Sequence, residues 1–187
     1  MTVRPTQKNP CRGMFMRVRG FTVIELMITI TVLAVLLAIA APSFRSFLVA
    51  TRLTSEVNGF VADLSFARSE AASRSKRVFV CLAATSTTCA TSGDDWSEGR
   101  LIWSDANANG SLDAAEIISY SPALSDGLSL IASGPANTFS MTFLPSGGIT
   151  GISTWTFKMC SYGEPRGREV KLPPTGRATV NRVESCS

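Results

Sequence analysis

The chain reads as an α+β protein in which one long N-terminal helix, apolar enough to cross a membrane in its first half and amphipathic in its second, packs on an antiparallel β-rich head. Three observations lead there. Residues 21–41, FTVIELMITITVLAVLLAIAA, carry a single charge, and about 21 residues at about 1.5 Å rise cross a hydrocarbon core of roughly 30 Å. Beyond Pro42, the residues Phe44, Phe47, Leu48, Val57, Phe60, Val61, Leu64, Ala67 and Ala71 recur mainly at steps of three and four, with Arg45, Arg52, Glu56, Asp63, Arg68 and Arg74 on other faces. After Arg77 the period changes. Short β-prone runs then alternate with Gly, Ser, Asn and Pro clusters: 78–83, 101–103, 117–120, 128–132, 141–144, 154–160 and 178–183.

Ahead of the apolar run, residues 1–20 carry Arg4, Lys8, Arg12, Arg17 and Arg19 and no acidic residue. The formal charge of +4 therefore comes from this tag; the rest of the chain holds 13 basic and 14 acidic residues, so the overall charge says little about nucleic-acid binding. The organisation expected is a leader over 1–20, a helix over 21–76 with its membrane part at 21–42, and a head over 77–187. Arg17 and Arg19 hold the leader in the cytoplasm by the positive-inside rule, which sends the head across the inner membrane. The apolar run is longer than a secretory h-region, and no convincing A-x-A cleavage site follows it.

Function classes narrow quickly. Histidine is absent and no Gly-rich phosphate loop is present, which removes the commonest general base and the usual nucleotide cradle; the chain is not expected to be an enzyme. Apart from Cys11, the cysteines are Cys81, Cys89, Cys160 and Cys186, an even set in an exported segment, which favours two disulfides over a zinc site because no CxxC knuckle exists. Three connectivities are open. The pairing of Cys81 with Cys89 and Cys160 with Cys186 closes two local loops.

Glu25 interrupts the apolar run, and a carboxylate near a membrane helix end requires a reason. The run Gly20-Phe21-Thr22-Val23-Ile24-Glu25-Leu26 resembles the prepilin processing site, where a membrane peptidase cuts after the glycine and methylates the new N-terminal phenylalanine. The resemblance implies Gly20 and Phe21 as processing residues, Glu25 as the fifth mature residue acting in assembly, and Pro42 as the helix-bending proline common in pilins. The leader is longer than in many pilins, but the motif at the cut is intact. The helix end Leu64-Ser65-Phe66-Ala67-Arg68-Ser69-Glu70-Ala71, the strand entry from Trp96 to Trp103, the loop from Asp105 to Glu116 and Gly176-Arg177 are similar to the minor pilins of the FimT and FimU class and to the GspH pseudopilins of type II secretion. That similarity implies a pilin-like fold and a structural subunit that helps prime or cap a type IV pilus or a secretion pseudopilus. Its implied partners are prepilin peptidase, the major and other minor pilins or pseudopilins, and the inner membrane.

Two further constellations stand out. Asp105, Asn107, Asn109, Gly110, Asp113 and Glu116 fit the spacing of a calcium loop, D-x-[DN]-x-[DN]-G-x5-E; the same segment, flanked by strands and containing Asn-Gly, also reads as a hairpin connection. Calcium and the bare hairpin are both open. The C-terminal residues Lys158, Arg166, Arg168, Lys171, Arg177 and Arg182 outnumber Glu164, Glu169 and Glu184 by three. FimT-like proteins that bind DNA during uptake carry basic residues in such a tail after a Gly-Arg, which makes DNA an alternative partner through Arg177 and Arg182. The second closely spaced arginine is missing here, and no aromatic interleaving accompanies the cluster.

Overall fold

The computed structural model describes residues 20–186. Residues 1–19 of the expected leader and Ser187 lie outside them. Two compact units result, Met1–Phe44 and Arg45–Ser187. The second includes the C-terminal half of the helix, which supplies one wall of the head's core.

Helix α1 runs Val23–Arg74. Its first i to i−4 bond is donated by the Leu26 N–H to the Thr22 carbonyl at 3.1 Å, so Thr22 is the N-cap, and the Thr22 hydroxyl accepts the Glu25 N–H at 3.3 Å. Thr-Val-Ile-Glu is thus a capping-box sequence, with an acidic residue where the helix dipole favours one. Pro42 lies within the helix. At the far end Arg74 occupies the last turn, and Ser75 stops the helix in the left-handed region at φ 53°.

The helical stripe buried in the head is Leu53, Val57, Phe60, Leu64, Ala67 and Ala71, spaced alternately by four and three. Phe44, Phe47 and Leu48, expected on the same stripe, are 60%, 64% and 50% exposed. Around the stripe sit two antiparallel sheets. The first joins β1 (Val78–Thr85), β2 (Thr88–Cys89), β3 (Arg100–Trp103), β4 (Ile117–Ser121) and, on β1, β6 (Ser140–Phe143); the second runs β5 (Leu128–Ser133), β7 (Trp155–Ser161), β8 (Gly167–Leu172) and β9 (Thr179–Val183).

Alternation along the strands directs Val78, Val80, Leu82, Met141 and Phe143 of one sheet and Leu130, Ala132, Phe157, Met159, Val170 and Leu172 of the other into one core with the helix. Its centre is aromatic. Phe60 meets Phe157 edge-on at 4.7 Å between ring centroids, and Trp96 meets Phe157 at 5.5 Å. The buried Trp96 indole N–H finds the Thr138 carbonyl at 2.7 Å, satisfying the one polar atom that burial would otherwise orphan. A smaller cluster of Cys81, Ala83, Leu101 and Trp103 lies on the opposite face of the first sheet, covered in part by Leu112 and Ile117.

Candidate functional site

At the N-terminus, Gly20 has open space where a Cβ would stand, with nothing within 4 Å. Phe21 is 81% exposed and Glu25 is exposed four residues on. Val23–Ala40 is apolar enough to cross a membrane, with mean hydropathy 2.7, and none of it is buried within the protein. Gly20, Phe21 and Glu25 therefore stand together at the start of an uncovered apolar rod. Sequence reading missed Thr22, whose signal is the threonine three residues before a glutamate.

In the head, Cys81 is bonded to Cys89 and Cys160 to Cys186. The first bridge staples the β1–β2 hairpin into the small outer cluster. The second ties the end of β7 to the C-terminus and crosses Gly167, where a Cβ would stand 2.4 Å from the Cys186 sulfur and 2.6 Å from the Met159 carbonyl. Only glycine fits there.

The 105–116 loop connects the antiparallel strands β3 and β4, and its oxygens turn to the loop's own N–H groups. Asp105 accepts from the N–H groups of Asn109 at 3.1 Å and Gly110 at 3.0 Å. Asp113 accepts the side-chain amides of Asn107 at 2.8 Å and Asn109 at 3.0 Å. The buried Glu116 accepts from the N–H groups of Ala106 at 2.7 Å and Asn107 at 3.2 Å and, with Asp113, forms a capping box. Glu116, the twelfth position of the calcium template, thus staples the backbone. Among the described residues no three His, Cys, Asp or Glu side chains are grouped to hold a metal ion. Asn109-Gly110 belongs to a long hairpin connection in which Ala108 and Gly110 take φ 61° and 75°, not to a two-residue turn.

Arg177 and Arg182 are both exposed but differently set. Arg177 lines a cleft of about 540 Å³ with Arg68, Ser65, Ser69 and Ser146; Arg182 lies on the edge strand β9, directly across from Arg168. The sequence places Arg68 on a polar face of the helix and within the pilin-like helix end, but does not reveal its contact. Its Nε donates to the Gly147 carbonyl at 2.7 Å, and Gly176 packs so closely on Gly147 that a Cβ would come within 2.2 Å of the same carbonyl. The helix, the 144–148 turn and the Gly-Arg turn are clasped at one point. A second clasp holds a buried arginine to a half-buried carboxylate: the Arg100 guanidinium donates to Asp63 through Nε at 2.6 Å and also through Nη2, and Ser121 Oγ donates to the same carboxylate oxygen at 2.8 Å.

Compared with known proteins, the chain matches the family described as "Type II transport protein GspH" over residues 56–176 and the "Prokaryotic N-terminal methylation motif" over residues 15–41. No curated protein matches it. Among solved structures it is similar to two crystal forms of the type IV minor pilin FimU of Pseudomonas aeruginosa. One is 24% identical, with a TM-score of 0.53, covering 72% of this chain and all of that one. The other is 23% identical, with a TM-score of 0.57, covering 75% and 99%. These likenesses bear on the fold.

Proposed function

Because the chain belongs to the GspH family of type IV pilin-like minor pilins and pseudopilins, we propose that it is a structural subunit which helps prime or cap a type IV pilus or a type II secretion pseudopilus. The observation that carries this reading is α1 itself: a continuous helix whose membrane-length apolar part is wholly uncovered while its other half is built into the head core. An apolar rod of this kind is stable in lipid or against other such rods. After prepilin peptidase cuts at Gly20, the subunit waits in the inner membrane, with its head in the periplasm where the two disulfides form, and leaves the bilayer by packing α1 against its neighbours.

Glu25 sets the register of that packing. Cleavage creates an amine at Phe21, and a carboxylate buried among packed helices is tolerated beside a positive charge. Helix geometry directs the Glu25 side chain outward, so the amine of a neighbouring subunit is its partner. Glu25→Ala inserts and is processed, since losing a charge favours insertion, but is absent from sheared fibres. Membrane levels by blot and fibre content by mass spectrometry give the test, and full incorporation of Glu25→Ala overturns the register role.

A second reading, DNA binding during uptake, draws on the cleft where Arg177 and Arg68 stand among serines with no carboxylate in the lining. It requires binding that weakens steeply with salt and is lost in Arg177→Ala.

A further inference from the structure

Strand β9 ends the second sheet and pairs only with β8. Alternate residues of an antiparallel edge turn both N–H and C=O away from the sheet, and among the described residues nothing hydrogen-bonds to β9 from that side. Exposed edges invite another chain to pair, so proteins cover, shorten or distort them. The other edges of this head show those devices. Along β5, the Ala132 N–H donates to the Asp94 carbonyl at 2.7 Å and the Leu130 N–H to Ser97 Oγ at 2.8 Å. Along β6, the Thr142 carbonyl accepts the Thr150 N–H at 2.9 Å. β2 has two residues, and β4 pairs across an irregular register and is followed at once by Pro122. β9 has none of them. Its ladder to β8 is unbroken, it holds no proline or lysine, and Thr179, Val180, Asn181 and Arg182 are all exposed.

Both ends of this edge are held. Before it, Gly176 is locked onto Gly147; after it, Cys186 is bonded to Cys160. A strand fixed in advance loses little freedom on pairing. Its charge is incomplete as well: Arg182 stands opposite Arg168, like charges directly across a ladder repel, and among the described residues no carboxylate pairs with either. Val180, two residues away on the same face and 43% exposed, continues the inner side of the sheet through Val170 and Phe157.

We infer that the free edge of β9 docks an extended segment of another subunit of the same fibre, which adds as a further strand with a carboxylate opposite Arg182 and an apolar side chain opposite Val180. Backbone pairing holds the segment, and the two side chains select it. This rests on the fibre-subunit reading above.

The test places a photoreactive residue at Asn181 of the full-length chain, in cells carrying its native fibre machinery, with Ile152, 95% exposed in the β6–β7 connection, as the control position. Adducts are read in both membrane and sheared-fibre fractions, with and without nuclease. Expected is an Asn181 adduct to another pilin-like subunit, on a peptide with a carboxylate two residues from an apolar side chain. Its yield falls about tenfold in Arg182→Glu and persists in Arg182→Lys, with the Cys160–Cys186 bond intact on a non-reducing gel. The inference is overturned by Asn181 adducts no stronger than those from Ile152 in both fractions, by an adduct that nuclease removes, or by indifference to Arg182→Glu. A chain absent from fibres that still crosslinks in the membrane defeats the incorporation reading alone; a chain incorporated without the Asn181 adduct defeats only the docking edge.

Discussion

Removing the Asp63 carboxylate isolates a buried cation, and its cost follows from the surroundings. The Arg100 side chain is 6% exposed and that of Asp63 22%, so solvent compensates little when the partner is lost. In Asp63→Ala, Arg100 Nε and Nη2 and Ser121 Oγ lose their shared acceptor while Arg100 Nη1 is already buried without one, leaving the Phe60 ring, 5.2 Å from the guanidinium carbon, as the nearest compensation. Breaking one side of a buried pair costs about 3–5 kcal/mol, and at about 3 °C per kcal/mol for a unit of this size the melting temperature falls by about 10–15 °C. Fluorescence of Trp96 and Trp155, both in the core, reports the transition in the detergent-solubilised chain. The double variant Asp63→Leu with Arg100→Met separates causes, because replacing a buried pair with apolar groups is often close to neutral. A fall below about 3 °C in Asp63→Ala, or a double variant as unstable as the single, refutes the orphaned-charge account.

Other outcomes follow from the same contacts. Gly176→Ala meets the Gly147 carbonyl from a backbone at φ 71° and lowers head stability by about 1–3 kcal/mol, measured by urea unfolding; an unchanged midpoint removes the clasp. Replacing Cys160 and Cys186 together with serine opens a loop of separation 26 and costs about 3 kcal/mol in the same assay, while peptide mapping of the parent recovers both bridges. Calcium at about 10 mM, some ten times the weak end of extracellular calcium modules, leaves the melting temperature unchanged, since the loop oxygens accept from their own backbone; a rise of several degrees that Asp105→Ala and Glu116→Ala abolish reinstates the calcium site.

The fold class was legible because both of its periods are strong: an uninterrupted apolar run with three-four spacing beyond it, then β-branched segments cut by turn residues. Strand β8 was not read. Its sequence, GREVKL, looks like a charge cluster, yet Gly167, Val170 and Leu172 are buried, the last two at a period of two hidden by the lysine between them. β2 escaped for being two residues inside a Ser/Thr-rich loop. The calcium template shows the opposite difficulty. Spacing lists oxygens but not where they point, and Glu116 points at amides. The clasps of Asp63 with Arg100 and of Arg68 with Gly147 join residues 37 and 79 apart in sequence, and nothing local announces them.

Periodicity also placed Phe47 and Phe60 on one stripe, and the structure divides them by what covers each. Phe60 is fully buried against Trp96 and Phe157, whereas Phe47 is 64% exposed in the stretch of α1 between the apolar span and the head core. Large apolar side chains left exposed close together, as Phe44, Phe47 and Leu48 are along this stretch, are the kind of patch that marks an interaction surface. Phe60→Ala therefore costs about 3–5 kcal/mol of head stability, while Phe47→Ala stays within about 0.5 kcal/mol of the parent and still reduces the amount of subunit in sheared fibres. The paired measurement separates folding from assembly, because urea unfolding reads the first and fibre content the second. A Phe47→Ala variant that unfolds like Phe60→Ala assigns Phe47 to the head core. One that folds and incorporates like the parent removes this stretch of α1 from the assembly surface and confines that surface to the apolar span beginning at Val23.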